Sequence, residues 1–324
     1  MRALLILLSA AALAGCETLA YYGQAAGGQL AISAKARRLA QVLADPDVAP
    51  VLKERLRAAR GIRDYATRAL ALPDNGAYRS YADLGRPYAL WNVVAAPEFS
   101  LEPVQSCFPV AGCVAYRGYY DRGNARRHAA QRRAAGDDVL VYGVPAYSTL
   151  GWFDDPLLST FIDYPDAELA RLMFHELAHQ VAYVKDDSAF NESFAVVVER
   201  EGLRRWLRET GREALPSGRG EFEALLAQTR QTLQALYRSR LGAEEMRRRK
   251  RESLEALRPW LVRMRGFESA EPNNAVLASF ATYTQKVPAF ERLLADAGGD
   301  LERFYARVRE LASLPRAERE ARLR

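Results

Sequence analysis

The residues best suited to chemistry lie at positions 175–179, which read His-Glu-Leu-Ala-His and form an HExxH motif. Apolar residues recur around the motif at helical spacing, which predicts a helix over 165–184. Histidines four apart on a helix lie about 40° apart around its axis, so both imidazoles could bind one tetrahedral ion at ~2.0–2.1 Å. Glu176 is rotated by about 100° and could reach a water at the open metal position. A metal lowers the pKa of such a water to ~7 and the carboxylate takes its proton, which is zinc-peptidase chemistry.

A candidate third ligand follows the motif at Glu192. The polar segment 185–188 predicts a turn, so Glu192 falls in the first turns of a second helix that can pack antiparallel to the first. Glu199, seven residues further on, lies on nearly the same face and is either the alternative ligand or a residue that orients an imidazole. The predicted ligands of a single Zn²⁺ are therefore His175, His179 and Glu192.

The order of these residues resembles the gluzincin clan of zinc peptidases, in which HExxH is followed by an Asn-Glu pair on a second helix. Asn191-Glu192-Ser193-Phe194-Ala195 is similar to the Asn-Glu-x-Phe-Ala form of metallo-aminopeptidases. The chain departs from the better-known members in spacing, because only twelve residues separate His179 from Glu192. Thermolysin-like members carry an acid four residues after the ligand glutamate, where this chain has Val196.

A wider resemblance covers roughly residues 100–295 and points to a bacterial family of predicted zinc aminopeptidases. It rests on the segments 115–120, 146–153, 175–180, 190–195, 273–275 and 287–290. The resemblance implies a zinc-dependent enzyme that hydrolyses peptides, with an aminopeptidase as the named activity. Two alternatives remain open, namely a zinc endopeptidase of the cell envelope and a non-catalytic envelope-binding protein with a structural zinc. A structural site needs four protein ligands, and the sequence offers no fourth near the motif.

A peptidase must also stabilise the oxyanion of its tetrahedral intermediate. Related enzymes use a tyrosine or a histidine, and the remaining histidine, His128, is expected at the surface. Tyr147 and Tyr283 are therefore the candidates. Residues 144–149 are predicted to be an edge strand that pairs with substrate, or else a loop that only covers the zinc helix. Residues 152–155 are expected to line the cleft. The acids available to hold a substrate amine are Asp154, Asp155, Glu168 and Glu199.

The N-terminus has the pattern of a lipoprotein export signal. Arg2 precedes an apolar stretch of ten residues, 4–13, which is too short to span ~30 Å of hydrocarbon permanently. Leu-Ala-Gly before Cys16 resembles the bacterial lipobox, which implies lipidation of Cys16 and attachment to a membrane; the alternative is a plain secretory signal. Glu17, in place of aspartate, implies by the same resemblance an outer-membrane lipoprotein facing the periplasm.

The other two cysteines, Cys107 and Cys113, flank a short turn-forming loop. In an oxidising periplasm we expect a disulfide between them, worth about 2 kcal/mol in the entropic model. The alternative is a pair of reduced, small apolar residues.

The fold class expected from these patterns is α+β and mainly α-helical: a zincin-like catalytic domain with a small sheet, packed with long flanking helices. β-Branched runs at 90–95, 114–120 and 139–144 predict three strands, with a helix over 122–135 between two of them. The predicted divisions are a signal peptide (1–15), a tether (16–28), N-terminal helices (29–75), the catalytic region (76–311) and a polar tail (312–324). Within the catalytic region they are the sheet (about 88–150), the zinc helices (165–208) and the C-terminal helices (219–311).

The charge pattern argues against a nucleic-acid partner. The chain has 46 basic and 40 acidic residues, for a net charge of +6, and they are interleaved nearly everywhere. Even the densest basic run, 247–251, is flanked by glutamates and is typical of a solvated helix face. The expected partners are peptide substrates and a membrane; the sequence makes no prediction of oligomeric state.

Overall fold

A computed structural model of the chain describes residues 20–108, 112–213 and 218–323. The predicted signal peptide and Cys16 lie outside these residues. The described part is mainly helical with small sheets, which confirms the predicted α+β class. None of its helices combines the length and apolar character that crossing a bilayer requires.

The sheet that supports the site has three antiparallel strands in the order β6-β3-β7. Their bounds are Leu90–Pro97 (β3), Arg117–Tyr119 (β6) and Asp137–Val144 (β7), as the runs of β-branched and aromatic residues predict. Successive side chains of β3 point to opposite faces, and both faces are covered. Helix α4 (Arg122–Ala134) packs on Val93 and Ala95, and helix α10 (Asn274–Thr284) packs on the face that carries Val94.

Two adjacent helices carry the HExxH motif and the proposed third ligand. They are α5 (Asp166–Ala178) and α6 (Ser188–Thr210), and they pack against each other. Helix α5 ends six residues earlier than predicted because Asn191 takes over the hydrogen bonds that a further turn would make. Its Oδ1 accepts from Val184 N at 2.7 Å and its Nδ2 donates to Val184 O at 2.8 Å. Asp187 then caps α6 by accepting from Phe190 N.

The predicted tether is wrong for residues 20–28, because residues 20–35 form helix α1. Gln24 accepts a hydrogen bond from Tyr120 N at 3.0 Å, and Gln29 is buried. Gly28 faces the Tyr120 ring so closely that an added Cβ would lie 2.1 Å from a ring carbon. Gly28, one of the small residues that suggested a tether, therefore lets α1 approach the Tyr120 ring.

The predicted polar tail, 312–324, is helical over much of its length. Residues Arg316–Arg322 form helix α13, whose Arg319 is 4% exposed. Its guanidinium donates to the Asp187 carboxylate at 3.1 and 3.0 Å, so the end of the chain is tied to the start of α6.

The remaining elements complete a core shared by both ends of the chain. Helix α3 (Pro50–Leu70) packs on α5, with the Tyr65 and Phe174 ring centroids 6.0 Å apart. The short strands are β1 (Arg37–Arg38), β2 (Ser80–Ala82), β4 (Ser106–Phe108), β5 (Gly112–Val114) and β8 (Leu157–Leu158). The other helices are α2 (Leu39–Ala44), α7 (Arg219–Tyr237), α8 (Ala243–Glu255), α9 (Arg258–Leu261), α11 (Val287–Asp296) and α12 (Leu301–Ser313).

Candidate metal centre and active site

The three predicted ligands converge where α5 ends and α6 begins. Glu192 Oε2 lies 3.1 Å from His175 Nε2 and 3.7 Å from His179 Nε2, and one potential ligand atom from each residue lies within 4.8 Å of the others. Two ligands 2.0–2.1 Å from a tetrahedral ion are about 3.3 Å apart. The donor set suits one zinc-sized ion, and the two distances from Glu192 Oε2, 3.1 and 3.7 Å, lie on either side of that spacing.

Glu199 holds His175 by the ring nitrogen that does not face Glu192. Its Oε2 lies 2.8 Å from His175 Nδ1, and its Oε1 accepts from Arg171 Nη1 at 2.9 Å. Burial raises the pKa of Glu199, but Arg171 and His175 outweigh burial and lower it to about 2. An ionised Glu199 favours the tautomer with a proton on Nδ1 and a lone pair on Nε2. Glu199 is thus placed to orient His175. It is not one of the three residues whose potential ligand atoms lie within 4.8 Å of one another.

The site attracts positive charge. Burial lowers the pKa of His175, yet its hydrogen bonds to Glu192 and Glu199 outweigh burial and raise that pKa to about 10. A metal cation between His175 and Glu192 would replace the proton that the charged imidazole places between these two residues.

Glu176 faces the same cleft as the three potential ligands. Burial raises the pKa of its carboxyl to about 7, with a smaller opposing effect from His175. A carboxylate whose pKa lies near neutrality is suited to accept and return a proton, although a bound dication would lower that pKa.

The cleft has a volume of about 450 Å³ and contains all four residues of the site. Tyr283, on α10, lies near the three potential ligands, because its ring centroid is 6.1 Å from that of His175. The charge of Glu192, followed by burial, raises the pKa of Tyr283 well above its usual value, so its hydroxyl stays protonated and able to donate.

Tyr147 lines the cleft but is held by α1 instead. Its hydroxyl donates to Gln29 Oε1, which also accepts from Tyr120. Burial raises the pKa of Tyr147, with smaller contributions from Tyr120 and Asp155. Of the two predicted tyrosines, Tyr283 is the one whose ring packs near His175, whereas the hydroxyl of Tyr147 is bound to α1.

Two cleft tyrosines were missed from the sequence. Tyr116 and Tyr183 both line the cleft. Burial is the largest cause that raises the pKa of each hydroxyl, and the charge of Glu192 is the second. Tyr116 stands in the segment 115–120, which resembles the aminopeptidase family and was the available signal, but the sequence analysis treated that segment only as part of the predicted strand 114–120.

Residues 145–149 do not extend the edge strand as predicted, because β7 ends at Val144. Thr149 N donates to the Asp155 carboxylate at 2.8 Å, which turns the backbone away from the sheet. Burial raises the pKa of that carboxyl to about 6. Residues 146–150 and Trp152 nevertheless line the cleft, as a loop.

The four acids considered for a substrate amine are not among the described residues that line the cleft. Glu168 and Glu199 both pair with Arg171, and Asp155 is buried beneath Thr149. His128 lies away from the metal centre, with its ring centroid 5.8 Å from that of Tyr119.

Cys107 and Cys113 are joined by a disulfide across the hairpin of β4 and β5. Phe108 and Val114 of this hairpin lie in the wall of the cleft. The disulfide therefore fixes part of that wall.

Comparison with known proteins identifies a family. The model of a family described as "Putative aminopeptidase" matches residues 20–323. No curated protein and no solved structure matches the chain significantly.

Proposed function

Since the chain belongs to the family described as "Putative aminopeptidase", we propose that it is a zinc-dependent peptidase of the gluzincin type. The observation that carries the proposal is the convergence of His175, His179 and Glu192 within 4.8 Å, in a cleft that Glu176 also faces. The zincin-like arrangement of the two ligand helices belongs to the same proposal.

Each residue then has a defined task. His175, His179 and Glu192 would hold the zinc ion, which supplies an acidified water and a polarised substrate carbonyl. Glu176 accepts a proton from the attacking water and passes it to the leaving amine. Tyr283 donates its hydroxyl hydrogen to the developing oxyanion, and the Glu199 carboxylate keeps His175 oriented.

The family description favours an aminopeptidase, and one observation favours an endopeptidase as the second candidate. Among the described lining residues, the carboxylates are Glu176 and Glu192, both already assigned to the reaction. An aminopeptidase needs a further anion for the substrate ammonium. Hydrolysis of matched peptides with free and acetylated amino ends distinguishes the two, because acetylation abolishes cleavage only by an aminopeptidase.

A non-catalytic protein with a structural zinc is the weaker reading. Structural zinc sites are closed by four protein ligands. Among the described residues, three potential ligands lie together at this site, and they face a cleft.

We also propose that the enzyme is a lipoprotein of the outer membrane, facing the periplasm. The support is the apolar segment 4–13 followed by Leu-Ala-Gly-Cys16. The Cys107–Cys113 disulfide agrees with an oxidising compartment.

The test of the mechanism is Glu176→Gln in zinc-loaded protein. We expect zinc to remain bound, since the ligands are intact, and peptide hydrolysis to fall by about 10²- to 10⁴-fold. Glu209→Gln, which changes an exposed acid on α6, is the matched control and should keep full activity. Hydrolysis by Glu176→Gln at the control's rate contradicts the mechanism.

A further inference from the structure

A short loop presents large apolar side chains at the mouth of the cleft. We call residues 148–153 the rim loop. Its Leu150 and Trp152 line the same cleft as Glu176 and the potential ligands. Trp152 is 73% exposed and Phe153 is 48% exposed, which places them among the few large hydrophobic residues that the described chain leaves in solvent. Exposed apolar side chains grouped beside a cleft are typical of a binding surface.

The backbone of the rim loop is ordered by its own hydrogen bonds. Leu150 N donates to Ser148 Oγ at 3.0 Å, and Trp152 N donates to Thr149 O at 3.0 Å. Phe153 N donates to Thr149 Oγ1 at 3.1 Å. A hydrogen-bonded turn therefore holds the apolar side chains of the rim loop in place.

Leu150 has a backbone conformation that leucine rarely adopts. Its φ is +57°, in the left-handed region that favours glycine, asparagine and aspartate. This backbone conformation costs free energy for a leucine, and its side chain lines the cleft.

Other apolar and aromatic side chains line the same cleft. They include Tyr22 and Ala25 of α1 and Phe108 of the disulfide hairpin. Among the described lining residues, the acidic and basic side chains are Glu176 and Glu192, both already assigned to the reaction, and the histidines are the potential metal ligands. The rest of the described lining is uncharged and therefore suits an uncharged apolar group.

We propose that Leu150 and Trp152 form a subsite for a large apolar side chain, such as phenylalanine or leucine, next to the scissile bond of a peptide substrate. This inference rests on the proposed peptidase function. It assigns substrate selection to the rim loop, outside the metal-binding helices.

The experiment compares kcat/KM for peptides that differ at one position beside the cleaved bond, which holds phenylalanine, alanine or lysine. For the wild-type enzyme we expect the phenylalanine peptide to exceed the other two by about tenfold to a hundredfold. Trp152→Ala, at an exposed position, should raise KM for the phenylalanine peptide and leave the alanine peptide nearly unchanged.

Leu150→Asp and Leu150→Asn form a matched pair that separates charge from polarity. Both residues tolerate a positive φ, so we expect both variants to fold, with unchanged thermal melting. Both should lose the preference for phenylalanine, so the lysine-to-phenylalanine ratio should rise above the wild-type ratio in both. The negative charge should make that ratio about tenfold or more higher in Leu150→Asp than in Leu150→Asn.

The possible failures are distinct. A wild-type enzyme that cleaves phenylalanine and lysine peptides equally well leaves the peptidase in place and overturns the apolar subsite. Equal lysine-to-phenylalanine ratios in the two Leu150 variants overturn the role of Leu150. A zinc-loaded protein that cleaves no peptide contradicts the proposed function and this inference with it.

Discussion

Removing Arg319 should destabilise the enzyme far more than its place near the end of the chain suggests. The side chains of Arg319 and Asp187 are only 5% and 3% exposed, and two hydrogen bonds of 3.1 and 3.0 Å join them. Arg319 also donates to Leu314 O at 2.8 Å. Arg319→Ala therefore leaves a buried carboxylate without its main counterion.

The expected loss follows from the geometry of this pair. Breaking a buried ion pair by removing one partner costs 3–5 kcal/mol. Lys286 Nζ remains 3.4 Å from the same Asp187 oxygen and offsets part of the loss. We therefore expect the free energy of unfolding to fall by about 3 kcal/mol.

Urea unfolding followed by circular dichroism measures this loss. Arg322→Ala is the matched control on the same helix, because its side chain is 53% exposed and its ion pairs are worth at most ~1 kcal/mol. The double variant Asp187→Asn/Arg319→Met removes both charges and keeps a side-chain acceptor for the α6 cap, so it should recover most of the stability. Equal unfolding midpoints for Arg319→Ala and Arg322→Ala would refute the reasoning.

Four further predictions concern the site and its surroundings. Glu199→Gln should weaken zinc binding by about 10- to 100-fold, measured by competition with a chelating dye, because the His175 ring loses its charged acceptor; unchanged affinity contradicts this. Asp155→Asn should gain stability relative to wild type as pH rises from 4 to 6, because a carboxyl with its folded pKa raised from 3.8 to about 6 destabilises the fold once ionised. The gain should reach about 3 kcal/mol in paired urea titrations, and a difference that does not vary with pH rules it out. Replacing Cys107 and Cys113 together with serine should lower the unfolding free energy by about 2 kcal/mol, and addition of a reductant to that variant should have no further effect. Cys16→Ser should move the protein from the membrane to the soluble fraction, and unchanged fractionation contradicts lipidation.

The parts of the site that the sequence predicts are those set by local periodicity. The spacing of His175 and His179 is fixed by the helical repeat, and the polar turn before Glu192 sets where the second helix starts. From the sequence, Glu199 could be either an alternative ligand or a residue that orients an imidazole. Its contacts with both His175 and Arg171 favour the orienting role.

The parts that the sequence did not predict depend on contacts between distant segments. The sequence named Tyr147 and Tyr283 as equal candidates, and the choice between them depends on the packing of α10 on both the sheet and α6, which places Tyr283 near His175. Arg319 lies in a stretch rich in arginine and glutamate, which is typical of a solvated surface, and its buried partner is 132 residues away. The glycines of α1 suggested flexibility, whereas Gly28 provides room for the Tyr120 ring.

The central claim is that two imidazoles and one carboxylate bind a single zinc ion. The zinc K-edge X-ray absorption spectrum of protein loaded with one equivalent of zinc tests it most directly. We expect a shell of about four nitrogen and oxygen ligands at ~2.0–2.1 Å, with two of them imidazoles and no sulfur, and one imidazole should be lost in His179→Ala. A spectrum of hydrated zinc, or one unchanged by His179→Ala, would contradict the account.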